Sequence, residues 1–306
     1  MAVGRLGTTG AASEQAALLV SLVGTLALGV LGVVWGLAVG SQLVLFDGVY
    51  GALGVVLSGL SLHASRLVAA GPTARFPFGR EALAPMVVGV QAVALGGICA
   101  YAAVSALLTI VHGGSDVAAG WAIVYAIVTT AASLVIVWWL RPQATRSDLV
   151  RAEAIQWLSG IGLEVGMIVA FGAMLLLERT SWAAVVPYID PALVLVVCVV
   201  ILPAPVRMLR TTLRELTEGA PPTAIQQPIR AAVAEVSSAA GLPEPLVRIQ
   251  KLGAKVYVEV DYLVEAGRWD TADADRVRHA LYRRLGELPY LFWLNVELTT
   301  DPALME

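Results

Sequence analysis

Charge is what this sequence has least of. Of its 306 residues 14% are charged and 58% apolar, and the mean hydropathy is +0.77. A soluble domain is about one-quarter charged and less than half apolar. An ordinary soluble enzyme is therefore excluded, and so are a disordered chain and a collagen-like one. Cysteine is scarce too: Cys99 and Cys198 both sit inside apolar runs and read as buried thiols, which excludes a disulfide-stapled scaffold. Histidine occurs three times, as His63, His112 and His279. A net charge of −3 gives no case for a nucleic-acid partner. No HExxH, GxSxG or Walker A motif is present, so the residues offer no enzyme.

The charges that are there divide the chain. Residues 1–210 hold 10 Arg, no Lys and 9 acidic residues, whereas residues 211–306 hold 10 basic and 14 acidic ones. The first part reads as a membrane domain, the second as a small soluble domain. A spanning helix needs about 20 mostly apolar residues, and six such stretches can be placed. The run from Gln15 to Phe46 carries no charge; it holds one helix, a tight turn near Gly40-Ser41-Gln42 and the start of a second helix, which passes Asp47 and ends near Ala64. The others are Leu83–Val111, Val117–Leu140, Glu153–Leu177 and Ala192–Val206. Arg5 is the one basic residue of the N-terminus and the first apolar run is too long for a signal-peptide core, so no cleaved leader is expected.

Basic residues in loops set orientation. Arg66, Arg75 and Arg80 separate spans two and three; Arg141, Arg146 and Arg151 separate four and five; Arg207, Arg210 and Arg214 follow span six. The alternate loops are nearly free of them, with Arg179 the one exception. Both termini are expected on the cytoplasmic side. The Lys-free, Ala/Val/Gly-rich membrane half suggests a bacterial inner membrane.

The tail alternates differently. Ala224–Ala239 has helical spacing, Leu246–Lys251 and Lys255–Val264 alternate as strands about Gly253-Ala254, Thr271–Leu285 is a second helix and Leu291–Thr299 a third strand. The order αββαβ predicts a small ferredoxin-like α+β domain, two helices on one face of a three-stranded sheet. At about 90 residues, pairing with a second copy would help its core. Trp293, with Phe292 and Leu294, is expected in the sheet core or a dimer contact. Glu259, Asp261 and Glu265 are expected to form a solvated face.

Six spans followed by an αββαβ tail resemble the cation diffusion facilitator (cation efflux) family, over nearly the whole chain. Leu45-Phe46-Asp47-Gly48 is similar to that family's aspartate-bearing segment in helix two, and Arg75-Phe76-Pro77-Phe78-Gly79-Arg80 to its Phe-Gly loop. Val150-Arg151-Ala152-Glu153 is similar to its Arg-Ala-Asp lead-in to helix five, and Tyr188-Ile189-Asp190-Pro191 to the start of helix six. The resemblance implies a dimeric divalent-metal/proton antiporter with four metal ligands at the membrane midplane, two on helix two and two on helix five at i, i+4. No resident cofactor is implied; the metal is the substrate.

The chain departs from that pattern. Gln156 and Gly160 occupy the helix-five ligand positions, and helix two supplies either Asp47 with Gly51 or Tyr50 with Gly54. Ala84 stands where the Phe-Gly loop normally leads to a glutamate, and Asp261 and Asn295 stand where the tail's histidines are usual. Ionisable residues inside a membrane are costly and functional by default. Asp47 and Glu164 each lie about one turn outward from a usual ligand position. They suggest a site shifted by about 5 Å, one helical pitch. Gln156, Ser159 and Glu153 are expected to line its inner path. An oxygen-rich site of this kind suits harder ions such as Mn²⁺, Fe²⁺ or Mg²⁺.

Structural readings stand beside these. Asp47 near a helix end can be satisfied by water. Glu153 fits a helix N-terminal acid, Gln156 interhelical glue and Asp190 the N-cap of span six. Gly51, Gly54, Gly160 and Gly162 fit close helix packing. His63 and His112 lie toward opposite membrane faces, so they cannot share an ion. The expected function is export of a divalent cation in exchange for protons. The alternative is a family member that has lost transport and serves as a structural or regulatory membrane partner, for instance in a heterodimer.

Overall fold

A computed structural model describes residues 4–145 and 148–305. Arg146, used in the loop-charge reading, lies outside them, as do the side chains of Arg5, Gln15 and Ala152. The chain forms α1 (Gly4–Val39), α2 (Gln42–Ala69), α3 (Leu83–Val111), α4 (Ala119–Ala144), α5 (Asp148–Leu177), α6 (Val186–Ile201), α7 (Pro203–Leu216) and α8 (Thr223–Ala240). Then come β1 (Leu246–Leu252), β2 (Lys255–Leu263), α9 (Thr271–Leu285) and β3 (Leu291–Thr299). Among the described residues six helical segments are long and apolar enough to cross a membrane: Ala16–Val39, α2, α3, α4, Glu153–Leu177 and Ala183–Leu216. The protein is an integral, multi-pass membrane protein with a small mixed α/β tail.

Two compact units are formed. The first takes the chain up to Gly59 together with Ala94–Pro205. Its core gathers Phe46, Cys99, Tyr125, Met167, Phe171, Met174 and Cys198, while Leu37, Val104, Trp138, Val169 and Val199 point outward. Apolar side chains on the outside are the pattern a lipid solvent permits.

Small residues let α1 and α2 approach. A Cβ at Gly32 would lie 2.7 Å from Gly48 Cα, at Gly36 2.5 Å from Leu45 N, and at Gly48 2.3 Å from Val33 N. The glycines expected to do this do not: Gly54, Gly160 and Gly162 have nothing within 4 Å, and Gly51 makes only ordinary contact with Gly29. Between the two helices Gly40 takes φ +73°, which a side chain would strain.

The sixth span starts earlier than its apolar run suggests, at Val186 rather than Ala192. Pro191 therefore lies inside the helix. It has no N–H to offer the carbonyl of Pro187, and that carbonyl accepts instead from Ser115 N at 2.8 Å. Asp190 is accordingly not the cap of its own helix. It caps α2 from a distance, accepting from Ser41 Oγ at 2.7 Å and Gln42 N at 2.8 Å. Satisfying a buried helix end in this way explains a fully buried aspartate.

The second unit is Leu60–Val93 with the chain from Val206 onward. Its sheet has the order β1-β2-β3, antiparallel then parallel. Val256, Val258, Val260 and Tyr262 alternate onto one face of β2 and are fully buried against Ile229 and Val233 of α8 and Val277 and Leu281 of α9. Burial pushes the Tyr262 phenol pKa up. Trp293 lies on the opposite face, 40% exposed, against Tyr257 at 5.7 Å between ring centroids, so it is not part of the core. Asp261 is not solvated either; it is buried and pairs with Arg248 at 2.6 Å.

The two lysines of the whole chain flank the β1–β2 turn. Lys255 pairs with Glu81 in the α2–α3 connection and Lys251 with Glu215 of α7, each at 2.8 Å. Glu81 is the buried partner. Removing its cation with Lys255→Met is expected to destabilise the second unit by about 2 kcal/mol, between the values for a surface pair and a fully buried one because the lysine keeps some solvent. Adding Glu81→Gln should recover most of that loss in a thermal melt, since it removes the stranded charge.

Asp270 caps α9, accepting from Asp273 N at 2.8 Å, while Asp273 returns the bond to Asp270 N. The Asp273 backbone N–H holds the Asp270 carboxyl below its usual range. A lowered folded pKa means that the cap's charge-dependent part is fully present above the unfolded value of about 3.9 and lost as pH falls through the folded value. Asp270→Asn keeps a capping oxygen that does not titrate. It should flatten this acid limb in amide-exchange rates of α9, whereas Asp270→Ala should speed exchange at every pH.

Candidate functional site

α4 presents a buried stripe at i, i+4, i+8 whose middle is polar. Tyr125, Thr129 and Ser133 lie on it, continued by Val137 and Leu140. Trp121, Val128, Val135 and Trp138 take the outer side. The Tyr125 hydroxyl sits where a Cβ at Gly32 would lie, 2.6 Å away, so the absence of a side chain there makes its berth.

From that berth Tyr125 donates to Asp47 Oδ2 at 2.8 Å. Two turns along α4, Ser133 donates to Glu164 Oε1 of α5 at 3.0 Å. Thr129, between them, uses its hydroxyl proton on the carbonyls of Tyr125 and Ala126, both at 3.1 Å. Glu164 is 8% exposed, and its Oε2 is buried without a hydrogen-bond partner.

These groups surround one cavity of about 170 Å³. Asp47, Glu164, Gln156, Tyr125, Thr129, Ser133 and Thr25 line it, with Gly51 and Gly160. By the measure of about 10–15 Å³ per water it has room for several water-sized groups. Among the described residues, no cationic, histidine, cysteine or methionine side chain lines it. Among the described residues no group of three or more His, Cys, Asp or Glu side chains is close enough to hold a metal together. What the arrangement offers is two carboxylates, hydroxyls and an amide: an all-oxygen environment for a hard cation.

Of the four residues singled out in the sequence, Asp47, Glu164 and Gln156 come together here. Glu153 does not line the cavity; it accepts from Ser21 of α1, whose hydroxyl also receives Trp157 Nε1 at 2.8 Å. Ser159 faces away, exposed, with its hydroxyl on Ile155 O. Asp47 is partly buried and hydrogen-bonded by Tyr125, so water is not its only partner. The helix-two alternative Asp47 with Gly51 places both residues in this cavity, and Gly54 is outside it. His112 is exposed with Nδ1 on Leu108 O; His63 and His279 are exposed as well. The α4 residues went unread in the sequence, although Tyr125-x3-Thr129-x3-Ser133 in an apolar helix was a visible signal.

The sequence model of the cation efflux transmembrane domain matches residues 18–217, the larger part of the chain, from α1 through α7. No curated protein matches the chain.

Proposed function

The chain belongs to the cation efflux family, a family of metal-cation transporters, and we propose that it exports a divalent metal cation in exchange for protons. The observation that carries this reading is the single cavity in which Asp47 and Glu164 meet with Gln156. Two carboxylates balance a doubly charged ion, and when the ion leaves they can take up protons, so metal and protons compete for the same oxygens. Alternating access then exposes that cavity first to one side of the membrane and then to the other. Glu153, on Ser21, belongs to the path rather than to the site.

In this reading residues 1–210 are the transmembrane part and residues 211–306 a cytoplasmic domain, with both termini cytoplasmic, in a bacterial inner membrane. The basic loops support the orientation. A homodimer paired through the tail is part of the proposal; the exposed Trp293–Tyr257 face supports it.

A second reading is a structural or regulatory membrane partner without transport. One observation favours it: Gly160 and Gly51 leave open space where the resembled family carries ligands. Purified protein in proteoliposomes, with a pH-sensitive dye inside and Mn²⁺, Fe²⁺, Mg²⁺ or Zn²⁺ outside, separates the two. Metal-dependent proton flux is expected for at least one ion. Silence for all of them removes the transport reading.

A further inference from the structure

We propose that the α4 stripe Tyr125, Thr129 and Ser133 is the third wall of the cation site and sets its preference for hard divalent cations that keep part of their water. The proposal rests on the transport reading and deepens it.

Three observations carry it. First, the hydroxyl protons of all three residues are directed away from the cavity's contents: Tyr125 gives its proton to Asp47, Thr129 to backbone carbonyls and Ser133 to Glu164. What remains on each oxygen is lone pairs, which attract a cation and offer nothing to an anion. Second, Glu164 is more than nine-tenths buried, lines the cavity, and has an oxygen with no partner. A buried carboxylate oxygen left bare is costly unless a ligand meets it. Third, the space is larger than a bare ion needs, about 170 Å³, and its donors are all oxygen. Mg²⁺ and Mn²⁺ suit such a site: one or two carboxylates, neutral oxygens and retained water. Zn²⁺ and Cd²⁺ are served less well, because no imidazole nitrogen or thiolate joins the two carboxylates.

The alternative explanation for a polar stripe in a membrane helix is interhelical glue. Glue predicts that exchanging one hydroxyl for a thiol changes packing and leaves metal preference alone. A ligand predicts that the preference changes.

The test is Mn²⁺ binding to the purified full chain, read by the loss of the free-ion EPR signal, with Cd²⁺ as competitor. Wild type, Ser133→Cys, Ser133→Thr, Thr129→Val, Asp47→Asn and Glu164→Gln are compared, each checked for a monodisperse, wild-type melting profile. Ser133→Cys is expected to improve Cd²⁺ competition roughly tenfold, and Thr129→Val to weaken Mn²⁺ roughly tenfold, the scale for disturbing one ligand or its support. Ser133→Thr, which keeps the oxygen, should stay near wild type. If Asp47→Asn and Glu164→Gln abolish Mn²⁺ binding while Ser133→Cys and Thr129→Val leave both metals unchanged, the α4 proposal fails and the transport site stands. If wild type binds neither metal, or the two carboxylate variants bind like wild type, the site itself is wrong and both readings fall.

Discussion

Asp47→Asn and Glu164→Gln are each expected to cut metal-driven proton flux on the order of 100-fold, the upper range for losing a ligand's support. The amides are chosen because they keep the shape and the accepting oxygen. Tyr125 can still donate to position 47 and Ser133 to position 164. What disappears is the negative charge and the proton that each carboxylate exchanges. Because both charges hold one ion, the losses should not add: the double variant is expected to be about as inactive as either single one. Initial rates of dye response in proteoliposomes give the numbers. A single variant that retains more than half of wild-type flux would remove its own residue, Asp47 or Glu164, from the mechanism. Losses that multiply would place them at two independent steps.

Gly48→Ala is expected to be the most damaging single methyl group in the first unit. Its Cβ would stand 2.3 Å from Val33 N and 2.5 Å from Gly32 C, both backbone atoms. Neither helix can yield by a rotamer change, so α1 and α2 must separate. Overpacking costs typically about 1–3 kcal/mol, and a backbone-to-backbone clash belongs at the top of that range. The effect reaches the site, because Asp47 is the preceding residue and Tyr125 is lodged against Gly32. Lower melting temperature in detergent and lost flux should therefore appear together. Gly54→Ala is the control: nothing lies within 4 Å of it. A wild-type melt for Gly48→Ala would mean that the crossing is not close.

How much of this could be read beforehand varies with the kind of feature. The third span was legible to the residue, Leu83–Val111, because its apolar run ends sharply at both sides. The tail's strands were legible because Val256, Val258, Val260 and Tyr262 alternate. The start of the sixth span was not, because Pro191 looks like a breaker until Ser115 is seen to satisfy the Pro187 carbonyl it frees. Asp190 looked like a local cap for the same reason; its partners are about 150 residues away in sequence. The close-packing glycines were misplaced because any membrane glycine permits contact, and only the neighbour across the gap decides which one is used.

The sequence by itself determined the class of the molecule. Scarce charge, six apolar runs and an alternating tail follow from what lipid and water each tolerate, and those are local, one-dimensional constraints. It also picked out Asp47 and Glu164, because ionisable groups among apolar ones stand out. Only the tertiary structure decided that Gln156 joins them while Glu153 turns to Ser21, and that α4 supplies the hydroxyls between them. The reason is that a site is a convergence of helix faces, and the face a helix turns inward depends on neighbours that lie far away along the chain.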